Sequence, residues 1–387
     1  MLPVAALALR PQLVGIGPLI PSIQRELGGS HAVTGLLGTI PVLCMGVFAP
    51  TGAFLSRRVG SRRALAVALA AIGAFGVARL ALANLAWLIA LTFPVGVGMA
   101  VGNALLPVRV KESAVERPTF TTSLYASGIT VGAAGATFSA VPLAHALGGW
   151  QAPLLLFSAV TLLLPAAWLG ATRGERGHDR TRVPRPLSLP WRNGVAWHLV
   201  AIFVLMSAIY YGINTWLPDI YVERGWTQSR AGTLLAVFNV TQIPAALAVA
   251  ALADRLGSRR AWLVGCAGLE VAALAGILAA PSAGFAWAVL LGCGAGPLFA
   301  LAMALPLDVG WTPAEVAAQT GLMLGAGYTL TAVFPLALGV VRDVSHGFTA
   351  VVWALLGIAG AAVVVDALLT PARLRRGRSA DSVAASG

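Results

Sequence analysis

Runs of about 20 apolar residues recur along this 387-residue chain, and no other feature limits its fold so strongly. A helix rises 1.5 Å per residue, so about 20 residues cross a hydrocarbon layer of about 30 Å. Twelve such runs can be read: 2–24, 32–55, 64–82, 86–110, 119–144, 151–171, 194–219, 230–253, 261–280, 284–307, 316–341 and 348–369. With 58% hydrophobic and only 10% charged residues, the chain lacks the charge to cover a soluble domain of this size. A β-barrel is excluded, because its strands alternate and need about 10 residues, whereas these runs are continuous. The 44 Gly and 23 Pro would weaken soluble helices, but packed helices in lipid tolerate them. The segment from Leu2 to Ile23 has no basic leader and no small-residue cleavage site, so it reads as a retained span.

Charge sets the orientation. The net charge of +12 falls in short bursts between apolar runs, not on a basic–aromatic face, which argues against nucleic acid as a partner. Arg57, Arg58, Arg62 and Arg63 form one burst; Arg109, Lys111 and Arg117 another; more follow from Arg173 to Arg192, at Arg255, Arg259 and Arg260, and in the tail from Arg373 to Arg378. Alternate loops thus hold most of the 26 Lys and Arg, apart from 308–315, which has Asp308 and Glu315 and no basic residue. Arginine-rich loops stay in the cytoplasm, so both termini are expected there, in a multi-pass protein of the cytoplasmic or inner membrane.

The two halves of the sequence repeat. A shift of 197 residues places Pro21 on Pro218, Gly28 on Gly225, Gly35 on Gly232 and Gly60 on Gly257, and aligns RRVGSRRA (57–64) with DRLGSRRA (254–261). The expected organisation is a six-helix bundle over 1–171, a cytoplasmic linker over 172–193, a second bundle over 194–370 and a basic tail over 371–387. Two parallel repeats place a binding cavity at their interface near the bilayer midplane.

The loop after the second span and its repeat resemble the Gly-x-Leu-x-Asp-Arg-x-Gly-x-Arg-Arg hallmark of the major facilitator superfamily. The second copy, with Asp254, Arg255, Gly257, Arg259 and Arg260, departs only by Ala250 at the opening glycine. The first, with Arg58, Gly60, Arg62 and Arg63, carries Arg57 where the family has a carboxylate. Within the superfamily the chain is similar to the cyanate and 2-nitroimidazole permease-like group. That likeness is carried by Leu9-Arg10-Pro11, Gly17-Pro18-Leu19, the stretch from Gly96 through Asn103 and Pro107 to Lys111, and Trp216-Leu217-Pro218-Asp219-Ile220-Tyr221. The resemblance implies an all-α membrane fold of 12 helices in two pseudo-symmetric bundles, alternating access, a gating role for the two loops, and a small anionic or weakly acidic substrate.

A charge inside a span costs about 2.5–3.5 kcal/mol, so each one asks for a reason. Arg10 lies roughly 20 Å below the outer end of the first span, and Gly17, two turns along the same face, would leave space above it for a ligand. A guanidinium in a low-dielectric cavity offers several donors to a small anion. Arg79, about 22 Å up the third span, is a candidate charge or coupling residue, though near enough to the surface to snorkel. Glu270, in the middle of the ninth span, is a candidate proton relay, and Asp366 reads as interfacial. The seventh span carries a polar stripe of Ser207, Tyr210, Tyr211, Asn214 and Pro218, with Trp216 as an interfacial anchor. Asn103, Tyr125, Asn239, Gln242 and Tyr328 complete an expected substrate ring around Arg10.

No catalytic constellation or metal site is expected: none of the five histidines has a companion at ligand spacing, and there is no P-loop. The expectation is a cofactor-free secondary transporter, working as a monomer in the bilayer on a small solute, with protons as a candidate coupling ion. A proton-coupled multidrug exporter is the alternative. The fifth span has the glycines of that class at Gly128, Gly132 and Gly135 but lacks its proline.

Overall fold

The computed structural model describes residues 2–113, 118–173, 189–256, 259–309 and 313–369, and among them every regular element is helical. In chain order these are α1 (Leu2–Leu7), α2 (Pro11–Val14), a 3-10 turn (Gly17–Leu19), α3 (Ile20–Leu27), α4 (His31–Val47), α5 (Ala49–Val59), α6 (Ser61–Ala78), α7 (Leu85–Ser113), α8 (Pro118–Leu147) and α9 (Gln151–Ala171). After them come α10 (Gly194–Glu223), α11 (Gln228–Leu256), α12 (Arg259–Ala279), a 3-10 turn (Pro281–Ala283), α13 (Gly284–Val309), α14 (Pro313–Thr331), α15 (Val333–Ser345) and α16 (Phe348–Ala367). Eleven helices among the described residues are long and apolar enough to cross a membrane, or up to 12 if the bent pair α4–α5 is one span. Most of the expected linker and the whole tail lie outside the described residues.

The first span is broken, and its prolines say where. A proline ring clashes with the carbonyl four residues earlier and offers no N–H. Pro11 therefore ends α1 at Leu7, and Pro18 ends α2 at Val14. Arg10 sits in the first break, and its carbonyl accepts from Leu13 and Val14. Elsewhere, Pro142, Pro165, Pro218, Pro244 and Pro297 lie inside continuous helices. Neighbouring helices satisfy what such residues free. At the α5–α6 corner Gly60 has φ of 83°, a conformation open to glycine at little cost.

The chain divides into two compact units. The first comprises Met1–Thr181 with Tyr211–Val240 and Ala332–Phe348; the second comprises Arg182–Tyr210, Thr241–Thr331 and Thr349–Gly387. In the first, α6 packs on α7 and α9, α1 on α8, and α4 on α7 and α15. Its core includes Leu9, Leu65, Leu69, Ile72 and Leu88, all fully buried. In the second, α12 packs on α13, and Leu199, Phe203, Leu263, Ala267, Ala302, Leu305 and Met323 form one buried cluster. Leu163 and Phe138 in the first unit and Leu247, Trp353 and Val364 in the second are exposed, as suits helices whose outer solvent is lipid.

Candidate functional site

Arg10 is 7% exposed, and its Nη1 donates to the Tyr211 hydroxyl at 2.7 Å. Its guanidinium carbon stands 5.8 Å from the Tyr211 ring centroid. Pro11 creates the break that turns this arginine off the helix ladder, and α10 supplies its partner. Along α10, Asn214 Oδ1 accepts from Asn239 Nδ2 of α11 at 3.0 Å, and the same amide also reaches the Leu235 carbonyl at 3.1 Å. A cavity of about 10 Å³ lies beside this set, lined by Leu13, Gly17, Gly38, Tyr211, Asn214 and Thr215 among others. That is room for about one water. Tyr211 joins the two features: it bonds the arginine and faces the cavity.

Gly17 belongs to the site, for a different reason than the sequence suggested. A Cβ there would collide with the Asn214 carbonyl oxygen, so the glycine lets the first span touch the α10 backbone and leaves no roomy space above Arg10. Gly17→Val is therefore expected to force these helices apart. Its thermal melting in detergent should fall by about 1–4 °C, as overpacking of about 1–3 kcal/mol predicts for a chain of this length.

Asn103 does not join the set: its amide donates to the Met99 carbonyl at 3.0 Å, one turn back, and to Met45 Sδ at 3.4 Å. Tyr210, Gln242 and Tyr328 belong to the second unit, where Tyr328 stands edge-on to Phe203 at 4.9 Å. The Tyr125 side chain lies outside the described residues. Trp216 is not an interfacial anchor; it is fully buried and donates to the Pro335 carbonyl at 2.9 Å. Arg79 does not snorkel. It is wholly buried and donates through Nη2 to Gln12 Oε1. Asp366, next to the last residue of α16, is buried, and Glu270 is fully buried. Neither Glu270 oxygen meets a donor among the described residues, and Gly294 packs against its Cγ.

In the first loop copy, Arg62 donates to the Leu169 carbonyl at 2.6 Å and to Thr172 Oγ1 at 2.8 Å, closing the C-terminus of α9. Cations suit that end of a helix. Arg58 and Arg63 are exposed, and Arg58 lies over Phe54 at 4.6 Å. In the second copy Arg259 pairs with Asp308 at 3.2 Å and Arg260 is exposed. Gly257 and the side chains of Asp254 and Arg255 lie outside the described residues.

One cluster had no advance signal. Asp343 of α15 accepts from the backbone N–H of His31 at 3.1 Å and of Ala32 at 2.8 Å, and its Oδ1 lies 3.0 Å from His31 Nδ1. A carboxylate thus caps the N-terminus of α4, where both orphan donors and the helix dipole favour it. Glu223 at the end of α10 takes Arg342 Nη2 at 3.0 Å and the Phe348 N–H at 2.9 Å. The Leu336 N–H, near the start of α15, goes to Thr39 Oγ1 at 3.2 Å. These bonds tie α15 to both α4 and α10 across more than 100 positions of sequence.

The family model of the Major Facilitator Superfamily matches residues 5–323 and 219–383. The 2-nitroimidazole transporter of Escherichia coli (strain K12) is 30% identical over 348 residues, covering 89% of this chain and 88% of that protein. The cyanate transport protein CynX of the same organism is 28% identical over 344 residues, covering 88% and 89%. Among solved structures, a bacterial homolog of the human lysosomal transporter Spinster, inward-facing and unoccupied, superposes with a TM-score of 0.74 at 15% identity, covering 98% of this chain and 95% of that one. Its likeness concerns the fold. The chain is a multi-pass membrane transporter, not an enzyme, and belongs to the Major Facilitator Superfamily.

Proposed function

We propose that this transporter moves a small anionic or weakly acidic solute by alternating access, with the solute held at Arg10. The observation that carries the reading is a guanidinium buried at a helix break and bonded to Tyr211, which together with Asn214 and Thr215 lines a small cavity. A guanidinium in such a place rewards a compact anion with charge-assisted bonds that water competes for poorly. Relatives named for cyanate and 2-nitroimidazole transport support a solute of a few atoms or one small ring. The bonds that join α15 to α4 and to α10 support a state closed at that end. Both termini cytoplasmic, the inner membrane, a monomer, and the division into bundles 1–171 and 194–370 complete the proposal, on the arginine distribution and the internal repeat.

Uptake into proteoliposomes tests it, with radiolabelled cyanate, acetate and 2-nitroimidazole against ethidium. Uptake of the small acids with no ethidium movement supports the proposal, whereas ethidium transport alone makes the protein a multidrug carrier. Gly128 and Gly132 give the exporter little support, since they accommodate the Pro3 and Leu7 backbone of α1.

Glu270 is the proposed coupling group. Its carboxyl is fully buried, with neither oxygen bonded among the described residues. Glu270→Gln is expected to abolish the acceleration of uptake by an inward proton gradient, by about 10-fold or more, while solute exchange at equal pH persists. Gradient-driven uptake at the wild-type rate in this variant would remove Glu270 from the mechanism.

A further inference from the structure

We infer that Arg79 binds a second small anion, at a site separate from Arg10 and built by α2, α6 and α9. Arg79 ends α6 and has no exposed surface. One of its nitrogens, Nη2, donates to Gln12 Oε1. Gln12 is itself committed: its Nε2 donates to Ser158 Oγ at 2.9 Å, and that hydroxyl donates on to the Leu154 carbonyl at 2.6 Å. The amide is thereby held with its oxygen toward the arginine. Among the described residues Arg79 Nε and Nη1 meet no acceptor, and no carboxylate pairs with the guanidinium.

The surroundings are shaped for this polar group. Gly76 lies one turn before Arg79, and a Cβ there would stand 2.6 Å from Ser158 Oγ and 3.5 Å from Gln12 Nε2. A larger residue would push the serine and the amide away. A buried charge without a counter-charge is among the most costly features a fold can hold. Arginine cannot escape by giving up its proton. A bound anion balances the charge and takes the donors that the protein leaves over. The guanidinium has no exposed surface, so the ligand is small and monovalent, of the class of chloride, nitrate, cyanate or formate. It is either an inorganic counter-ion or a second stopping point for the transported solute.

The test is thermal melting of the purified full-length protein in gluconate buffer, titrated with sodium chloride, nitrate or cyanate. It is done in the Arg10→Gln background, which removes the site proposed above. A rise of about 5 °C at saturation is expected there, and Arg10→Gln/Arg79→Gln should lose it. In Arg10→Gln/Gln12→Glu a protein carboxylate replaces the anion; this variant should melt high in gluconate and respond to no added anion. The second pair decides even if Arg79→Gln does not fold. A response to chloride as strong as to cyanate identifies a counter-ion site, and a response confined to the transported solute identifies a second stop. Loss of the response in Arg10→Gln alone, or its persistence in either double variant, overturns the inference.

Discussion

Arg10→Gln is expected to lower solute uptake about 100-fold or more, with the yield and melting temperature of the protein little changed. Glutamine can still donate to the Tyr211 hydroxyl that Arg10 Nη1 now reaches at 2.7 Å, so the local packing survives. What disappears is the charge. Losing a charge-assisted bond in a buried site costs about 2–5 kcal/mol, and each 1.4 kcal/mol is a factor of ten. Arg10→Lys should fall between the two, because an ammonium keeps the charge without the planar donor set. Initial rates in proteoliposomes, normalised to folded protein, check the order wild type, Lys, Gln. Wild-type uptake in the glutamine variant would remove Arg10 from the binding site.

Asp343→Ala should open the end of the molecule where α4 meets α15. The carboxylate accepts two backbone N–H groups from the first turn of α4 and meets the His31 ring, and alanine leaves all of them without that acceptor. Caps of this kind are worth about 1–2 kcal/mol, with more where the carboxylate also meets the helix dipole. A shift of that size changes the ratio of closed to open molecules by about tenfold or more. Thr215 reports it: it is 7% exposed and lines the small cavity. With Cys44, Cys266 and Cys293 replaced by serine, a Thr215→Cys probe should react slowly with a membrane-impermeant maleimide. It should react about tenfold faster once Asp343→Ala is added. Equal rates in the two backgrounds would mean that this capping bond does not hold the end shut.

The spans, the helical class and Arg10 could all be read from the sequence, because each is a local violation or a local repetition. Twenty apolar residues in a row announce themselves, and an arginine within them stands out against a cost of about 2.5–3.5 kcal/mol. The first span reads as one run over 2–24, and only the geometry shows that Pro11 and Pro18 break it, each at the residue four positions earlier. Tertiary pairing was not legible. Arg79 looked able to reach the surface, but α6 stops beside the broken first span, and Gln12, 67 positions away, offers an oxygen there. Trp216 looked like an interfacial residue by type, yet Pro335 opens a carbonyl to it where α14 gives way to α15. Asn103 carried the same polar signal as Asn239, and both bond their own preceding turn, but the second contact of Asn239 is Asn214 and that of Asn103 is Met45. Asp343 gave no signal, because an acid in a short loop reads as solvated until the helix end opposite it is known.

The most direct check is diffraction from crystals grown with 2-bromobenzoate, an aryl bromide that does not alkylate thiols, recorded at the bromine absorption edge. A carboxylate held by a guanidinium sits at hydrogen-bond distance, so an anomalous peak is expected within about 6 Å of the Arg10 guanidinium, near the Tyr211 hydroxyl. Arg10 clamped on a carboxylate of the protein or turned toward lipid, with no bromine beside it, would contradict the anion-carrier account.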